Sequence, residues 1–215
     1  TGAVVEGGGK DWRDGMMLRF DHIAISAETL ADGVAMVEER LGVSLAGGGQ
    51  HPHMATHNRL LGLGDLYLEV IAADPGAPRP AWPRWFDLDS FSGPPRLTNW
   101  IARCENITAA LAASPDGTGI PVALQRGDYR WQMAVPTDGK LPFSGGFPAL
   151  IQWQGDLHPA RALPESGVRL TRLEIVHPDA PALRAANISA PLAKRTCSAS
   201  THCPVRPTPK RVARV

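Results

Sequence analysis

Two polar positions interrupt otherwise apolar runs: Asp21-His22 in LRFDHIAIS (18–26) and Glu69 in LYLEVIA (66–72). Both runs read as β-strands, in which successive side chains point to opposite faces. On the first, His22 lies opposite Ile23 and Ile25. On the second, Glu69 shares a face with Tyr67 and Ile71, opposite Leu66, Leu68 and Val70. If the aliphatic faces pack on a helix, the imidazole and the carboxylate project together from the other side of the sheet. Such a pair is open to two chemistries. It is half of a divalent-metal site, or it is a His–Glu hydrogen bond that satisfies two buried polar groups without metal. Residue chemistry alone favours the second.

Neighbouring residues extend this constellation. Tyr67 shares the face of Glu69, so its hydroxyl could donate a hydrogen bond or act as a weak acid beside a basic carboxylate; a buried structural tyrosine is the plain alternative. His57 and Asn58 are adjacent in the strand HNRLLGL (57–63), so only one can enter the same space; Asn58 is the better choice, as an amide that orients a carbonyl or hydroxyl. His51 and His53 flank Pro52 after three glycines, in a loop that could close over the cup; surface histidines in a mobile loop are the favoured reading. His158-Pro159 reaches the mouth of the site or only makes a turn. No Walker loop, GxSxG elbow or dinucleotide fingerprint is present, and Cys197, His202 and Cys203 lack zinc-site spacing.

The elements that must position these residues fall into a repeat. A strand at 18–26 precedes an amphipathic helix at 29–41, with Leu30, Val34, Val37 and Leu41 on one side, Thr29 as cap and Gly42 as stop. A short strand over 43–45, ended by Gly47-Gly48-Gly49, then strands at 57–63 and 66–72 complete β-α-β-β-β. After a Pro-rich crossover (74–95), whose Trp82, Trp85, Phe86 and Phe91 argue for an ordered segment that packs on the domain or rims a pocket, the order recurs: strand 97–104, helix 107–114, strands 122–126, 129–135 and 149–154. Ungapped alignment of 96–104 on 18–26 sets Trp100 opposite His22. Trp100, Gln152 and Trp153 then become the second module's contribution to a binding pocket, with only one of Gln152 and Trp153 facing inward. A third unit starts at 168–176 with a helix over 178–186.

The expected organisation is a disordered extension (1–16), a domain over 17–186 with modules at 17–73 and 96–155 and the start of a third at 168–186, and an irregular tail over 187–215. That tail, rich in Pro, Ser, Cys and Arg, reads as a truncated or frame-shifted end. The fold class is α+β, with paired βαβββ modules forming a cupped, half-barrel mixed sheet. The net charge of +1 gives no global attraction to nucleic acid or membrane, and no apolar run approaches the roughly 20 residues of a membrane span. Three cysteines imply no disulfide framework, which fits a cytoplasmic protein. Exposed strand edges in the unfinished third unit suggest a homodimer.

The runs FDHIAIS (20–26), GGGQHPHMATHNRLLGLGDLYLEVIA (47–72) and FPALIQWQGDLHPA (147–160) resemble the glyoxalase-like domain family of the vicinal oxygen chelate superfamily, over about residues 18–177. The resemblance implies the cupped paired-module fold. Metal-using members hold Fe, Mn, Zn, Ni or Mg with a first-strand His and a fourth-strand Glu of paired modules, and His22 and Glu69 match those positions in module one. Module two departs, with Trp100 at the His position and Ile151 or Gln152 at the Glu position. His57 is a candidate third ligand, giving a two-His, one-carboxylate set. The resemblance implies a small-molecule enzyme: a lyase, isomerase or dioxygenase assisted by one divalent metal, or a metal-free one using Glu69 as base. The alternative is a metal-free binder that sequesters its ligand, of the bleomycin-resistance type.

Overall fold

Thr29 begins the first module's helix by accepting the backbone N–H of Asp32, and Gly42 ends it in the left-handed region at φ 66°. The computed structural model describes residues 2–5 and 18–186. Between these caps α1 (Leu30–Leu41) turns Val37 inward. At Gly33 the helix lies so close to the sheet that a β-carbon would overlap Val70.

The chain runs through β1 (Gly2–Val5), β2 (Arg19–Ser26), α1, β3 (Ala46–His51), β4 (Thr56–Gly62), β5 (Tyr67–Ala73), β6 (Arg96–Arg103), α2 (Ile107–Ala112), β7 (Ile120–Arg126), β8 (Tyr129–Val135), β9 (Ala149–Gln154), α3 (Pro159–Ala162), β10 (Leu173–Val176) and α4 (Ala180–Ala185). Eight strands form one mixed sheet in the order β3-β4-β5-β2-β6-β9-β8-β7. Each module contributes four strands. Its first strand pairs parallel with its last, β2 with β5 and β6 with β9, and the modules join where β2 and β6 pair antiparallel. This is the expected α+β half-barrel of paired βαβββ modules. The sheet curls until its two ends approach: Arg126 on β7 reaches β4, and a β-carbon at Gly49 on β3 would lie 3.1 Å from its Cδ.

One face of the sheet carries the main core, including Ile23, Ile25, Leu68, Val70, Trp100, Ala102 and Leu150 together with Val37 of α1 and Ile107 of α2. The concave face holds a second cluster, including Ile71, Trp85, Phe86, Ile101, Trp131, Met133 and Ile151. The crossover at 74–95 is ordered and delivers Trp85 and Phe86 to this concave side.

Several local expectations change. The glycines at 47–49 do not end a short strand; they lie within β3, because Gly48 at φ 108° passes so near the Asn58 carbonyl that no side chain would fit. Gly2–Val5 is not unpaired extension but pairs antiparallel with β10 in a separate two-stranded sheet. In the third unit the strand is limited to Leu173–Val176. The tail over 187–215 lies outside the described residues, as does most of the extension.

Candidate functional site

The floor of the cup depends on an irregularity in β2. Phe20 pairs with Ala102 and His22 with Ile101, leaving Asp21 as an extra residue in a β-bulge. The bulge breaks the two-residue alternation. Phe20 turns to the helix side and stacks on Trp100 at 5.6 Å, while Asp21 and His22 both serve the concave side.

Asp21 is completely buried and accepts three side-chain hydrogen bonds: from His22 Nδ1 at 2.6 Å, His158 Nε2 at 3.0 Å and Trp153 Nε1 at 3.1 Å. Burial opposes its ionisation, but the bonds from His158 and His22 outweigh that cost and hold its pKa well below the carboxylate range. His158 Nδ1 accepts the Ala160 N–H at the start of α3. Its proton therefore sits on Nε2, directed at Asp21.

With Nδ1 bonded to Asp21, His22 presents Nε2 to the cup, 3.6 Å from Glu69 Oε2. Burial disfavours the imidazolium, yet Asp21 and Glu69 overcome it and raise the His22 pKa above the ordinary value. Glu69 is likewise pushed up by burial and pulled down further by His22, His51 and Asn58, so it is ionised. Its Oε1 accepts Asn58 Nδ2 at 2.5 Å, which leaves Oε2 as the oxygen facing His22. Tyr67 stacks on His22 at 4.2 Å, and burial followed by the Asp21 and Glu69 charges keeps its phenol protonated.

Asn58 also links the floor to the rim. Its Oδ1 accepts the Gly49 N–H at 2.9 Å and Arg126 Nη1 at 3.1 Å. His51 lies here with Nδ1 3.1 Å from Thr56 Oγ1 and Nε2 3.4 Å from Arg126 Nη1. Burial lowers its pKa to about 4, so His51 is neutral at pH 7. The walls are Leu60, Trp85, Phe86, Trp131, Met133, Ile151, Trp153 and Pro159, around a narrow cleft open at its mouth.

The structure thus brings His22, Glu69, Tyr67, Asn58 and Trp153 together. Three expected residues are elsewhere. Trp100 points to the helix side, where its Nε1 donates to the Gly146 carbonyl. Gln152 also points there and accepts the Ile107 N–H at the start of α2. His57 alternates with Asn58 and falls on the face away from the cup, so it cannot join His22 and Glu69 as a metal ligand. His51, expected at the surface, is instead 7% exposed and part of the cup. Trp85 belongs to the crossover expected to pack on the domain or rim a pocket; Arg126, Trp131 and the hub role of Asp21 had no expectation behind them. Alternation along β7 would have aligned Arg126 with the apolar Val122 and Leu124, which is the one available signal.

The bulges also correct the repeat. Between Ala24↔Asn99 and Ile25↔Leu97, Thr98 is the extra residue of β6, the counterpart of Asp21 in β2. Equating the two bulges sets Asn99, not Trp100, at the His22 position. The parallel pairs Ala24↔Glu69 and Ile101↔Ala149 then set Ala149, not Ile151 or Gln152, at the Glu69 position. Asn99 is buried, and its Oδ1 has no hydrogen-bond partner among the described residues.

These residues do not make a complete metal site. His22 Nε2 and Glu69 Oε2 are two donors, Ala149 supplies none, and the other cup imidazole, His51, lies beside the Arg126 guanidinium. Among the described residues no three His, Cys, Asp or Glu side chains converge on one point.

The sequence matches the model of the glyoxalase-like domain over residues 20–189, most of the chain. The chain belongs to the glyoxalase-like domain family. Its paired-module sheet is that of the vicinal oxygen chelate superfamily. Similar solved structures include a hypothetical protein from Staphylococcus aureus (16% identity, TM-score 0.45, covering 66% of this chain and 60% of that one). Others are a hypothetical protein from Bacillus halodurans (13%, 0.44, 66% and 96%) and a methylmalonyl-CoA epimerase from Mycobacterium tuberculosis (14%, 0.42, 66% and 89%). The match therefore spans less than two thirds of the Staphylococcus aureus chain. No curated protein matches this glyoxalase-like chain. Among the described residues no helix is long and apolar enough to cross a membrane.

Proposed function

We propose that the cup is a metal-independent acid–base site for a small molecule, acting on a C–H bond next to a carbonyl in an isomerase or lyase reaction. The carrying observation is the buried His22–Glu69 pair, with Nε2 and Oε2 3.6 Å apart and the outer atoms already engaged by Asp21 and Asn58. Glu69 Oε2 takes the proton. His22 Nε2–H donates to the carbonyl oxygen as negative charge develops there. Because Glu69 is a weak base while His22 is charged, that donated hydrogen bond must carry much of the stabilisation. Asp21 positions His22 through Nδ1, and the Tyr67 ring stacked on the imidazole limits its rotation.

The test is solvent exchange: α-protons of small carbonyl compounds followed by NMR in D₂O. The expected result is catalysed exchange that falls about 100-fold in Glu69→Gln and in His22→Gln. Exchange unaffected by either substitution would overturn the reading. The aromatic walls of Trp85, Trp131 and Trp153 favour a second reading, metal-free binding without turnover. It predicts saturable ligand binding with no exchange.

A further inference from the structure

The rim carries hydrogen-bond donors without acceptors to match. Trp85 is 4% exposed and lines the cup, yet its Nε1–H has no partner among the described residues. A buried indole donor left unbonded is destabilising, which favours an acceptor brought to it by a ligand. The Trp85 ring meets His51 edge-on at 5.2 Å, and Arg126 Nη1 lies 3.4 Å from Nε2 of the same His51. The Arg126 guanidinium bonds the neutral side chains of Asn58 and His51 and forms no ion pair among the described residues. Its remaining N–H donors are uncommitted in a fork suited to a carboxylate. A buried indole donor and a guanidinium without an ion pair thus both adjoin one neutral imidazole of an aromatic cup.

We propose that the ligand of this cup is an aryl or similarly flat apolar carboxylate, its anionic head held by Arg126 and Trp85 Nε1 beside His51 and its body against the tryptophan wall. The proposal rests on the acid–base reading only in sharing the same cup. Charge favours a monoanion over a phosphate dianion. Asp21 and Glu69 stand against His22, Arg126 and the Arg103 guanidinium 3.9 Å from Asp21 Oδ2, with His51 neutral, so one negative charge completes the balance and a second exceeds it.

Tryptophan fluorescence titration of the full chain tests this with benzoate, phenylacetate and 3-phenylpropanoate, their matched amides, and phenyl phosphate. At least one carboxylate is expected to bind about tenfold more tightly than its amide and more tightly than phenyl phosphate. Arg126→Gln should remove the preference for acid over amide. Trp85→Phe, which keeps the ring but removes the N–H, should weaken the carboxylate about threefold to tenfold and spare the amide more. Near-native circular dichroism of both variants separates lost binding from lost folding. Equal binding of acid and amide, a preference that survives Arg126→Gln, or no binding of any carboxylate would overturn the proposal. Each of those results leaves the proton-exchange assay on Glu69→Gln to judge the acid–base reading by itself.

Discussion

Asp21 and His22 are consecutive in a β-strand yet serve the same side of the sheet, with Asp21 Oδ1 2.6 Å from His22 Nδ1. Regular alternation would separate them; the bulge that leaves Asp21 unpaired brings them together. The same carboxylate also anchors Trp153 of β9 and His158 of the following segment. One buried group therefore ties the catalytic candidate of the first module to the wall built by the second.

Asp21→Asn should lower the His22 pKa, because the substitution removes the carboxylate that does most to hold the imidazole charged while its burial remains. It also replaces a charged acceptor of three donors with a neutral one, at a cost of about 1.5–3 kcal/mol. NMR titration of the His22 ring and urea unfolding check the two effects. An unchanged His22 pKa would show that Asp21 does not set its charge.

Stability should fall on acidification below about pH 6.5. His51 has a folded-state pKa depressed by burial to about 4, so the unfolded chain binds more protons between pH 6.5 and 4. Unfolding free energy therefore declines as pH drops through that window. His22 acts oppositely: with its pKa raised, its contribution is full below about 6.5 and is lost as pH rises through the folded value. Glu69 contributes above its unfolded value, and that contribution is lost as pH falls below it. His51→Gln should flatten the limb between pH 6.5 and 4 in unfolding experiments; a limb of unchanged slope would exclude His51 as its source.

Gly48→Ala should destabilise the protein by about 1–3 kcal/mol, since φ is 108° and a β-carbon would overlap the Asn58 carbonyl. Because β3 and Asn58 shape the rim, ligand affinity should drop with stability. Thermal melts beside fluorescence titration measure both, and a neutral substitution would mean that β3 relaxes freely at this edge.

Chelation should change neither melting temperature nor ligand affinity. Two converging donors, with a guanidinium beside the next imidazole, hold a divalent ion weakly. Elemental analysis after reconstitution with Fe, Mn, Ni, Zn and Mg should find no stoichiometric metal. Near-stoichiometric metal abolished by both His22→Ala and Glu69→Ala would overturn this expectation and the metal-independent reading.

What the sequence determined by itself is what local periodicity encodes. The capped helix at 29–41, the repeated element order and the shared face of His22, Tyr67, Glu69 and Asn58 all follow from 3.6- and two-residue repeats along short stretches of chain. Tertiary structure decided what periodicity cannot carry across a break or between distant strands. A one-residue bulge reverses every side chain beyond it. That is why Asp21 joins the cup, why Trp100 leaves it for the core and why Asn99 takes the position equivalent to His22. Curling of the sheet, driven by burial of both its faces, brings β7 to β4 and makes neighbours of Arg126, His51 and Trp85, whose separation in the chain leaves no local pattern to read.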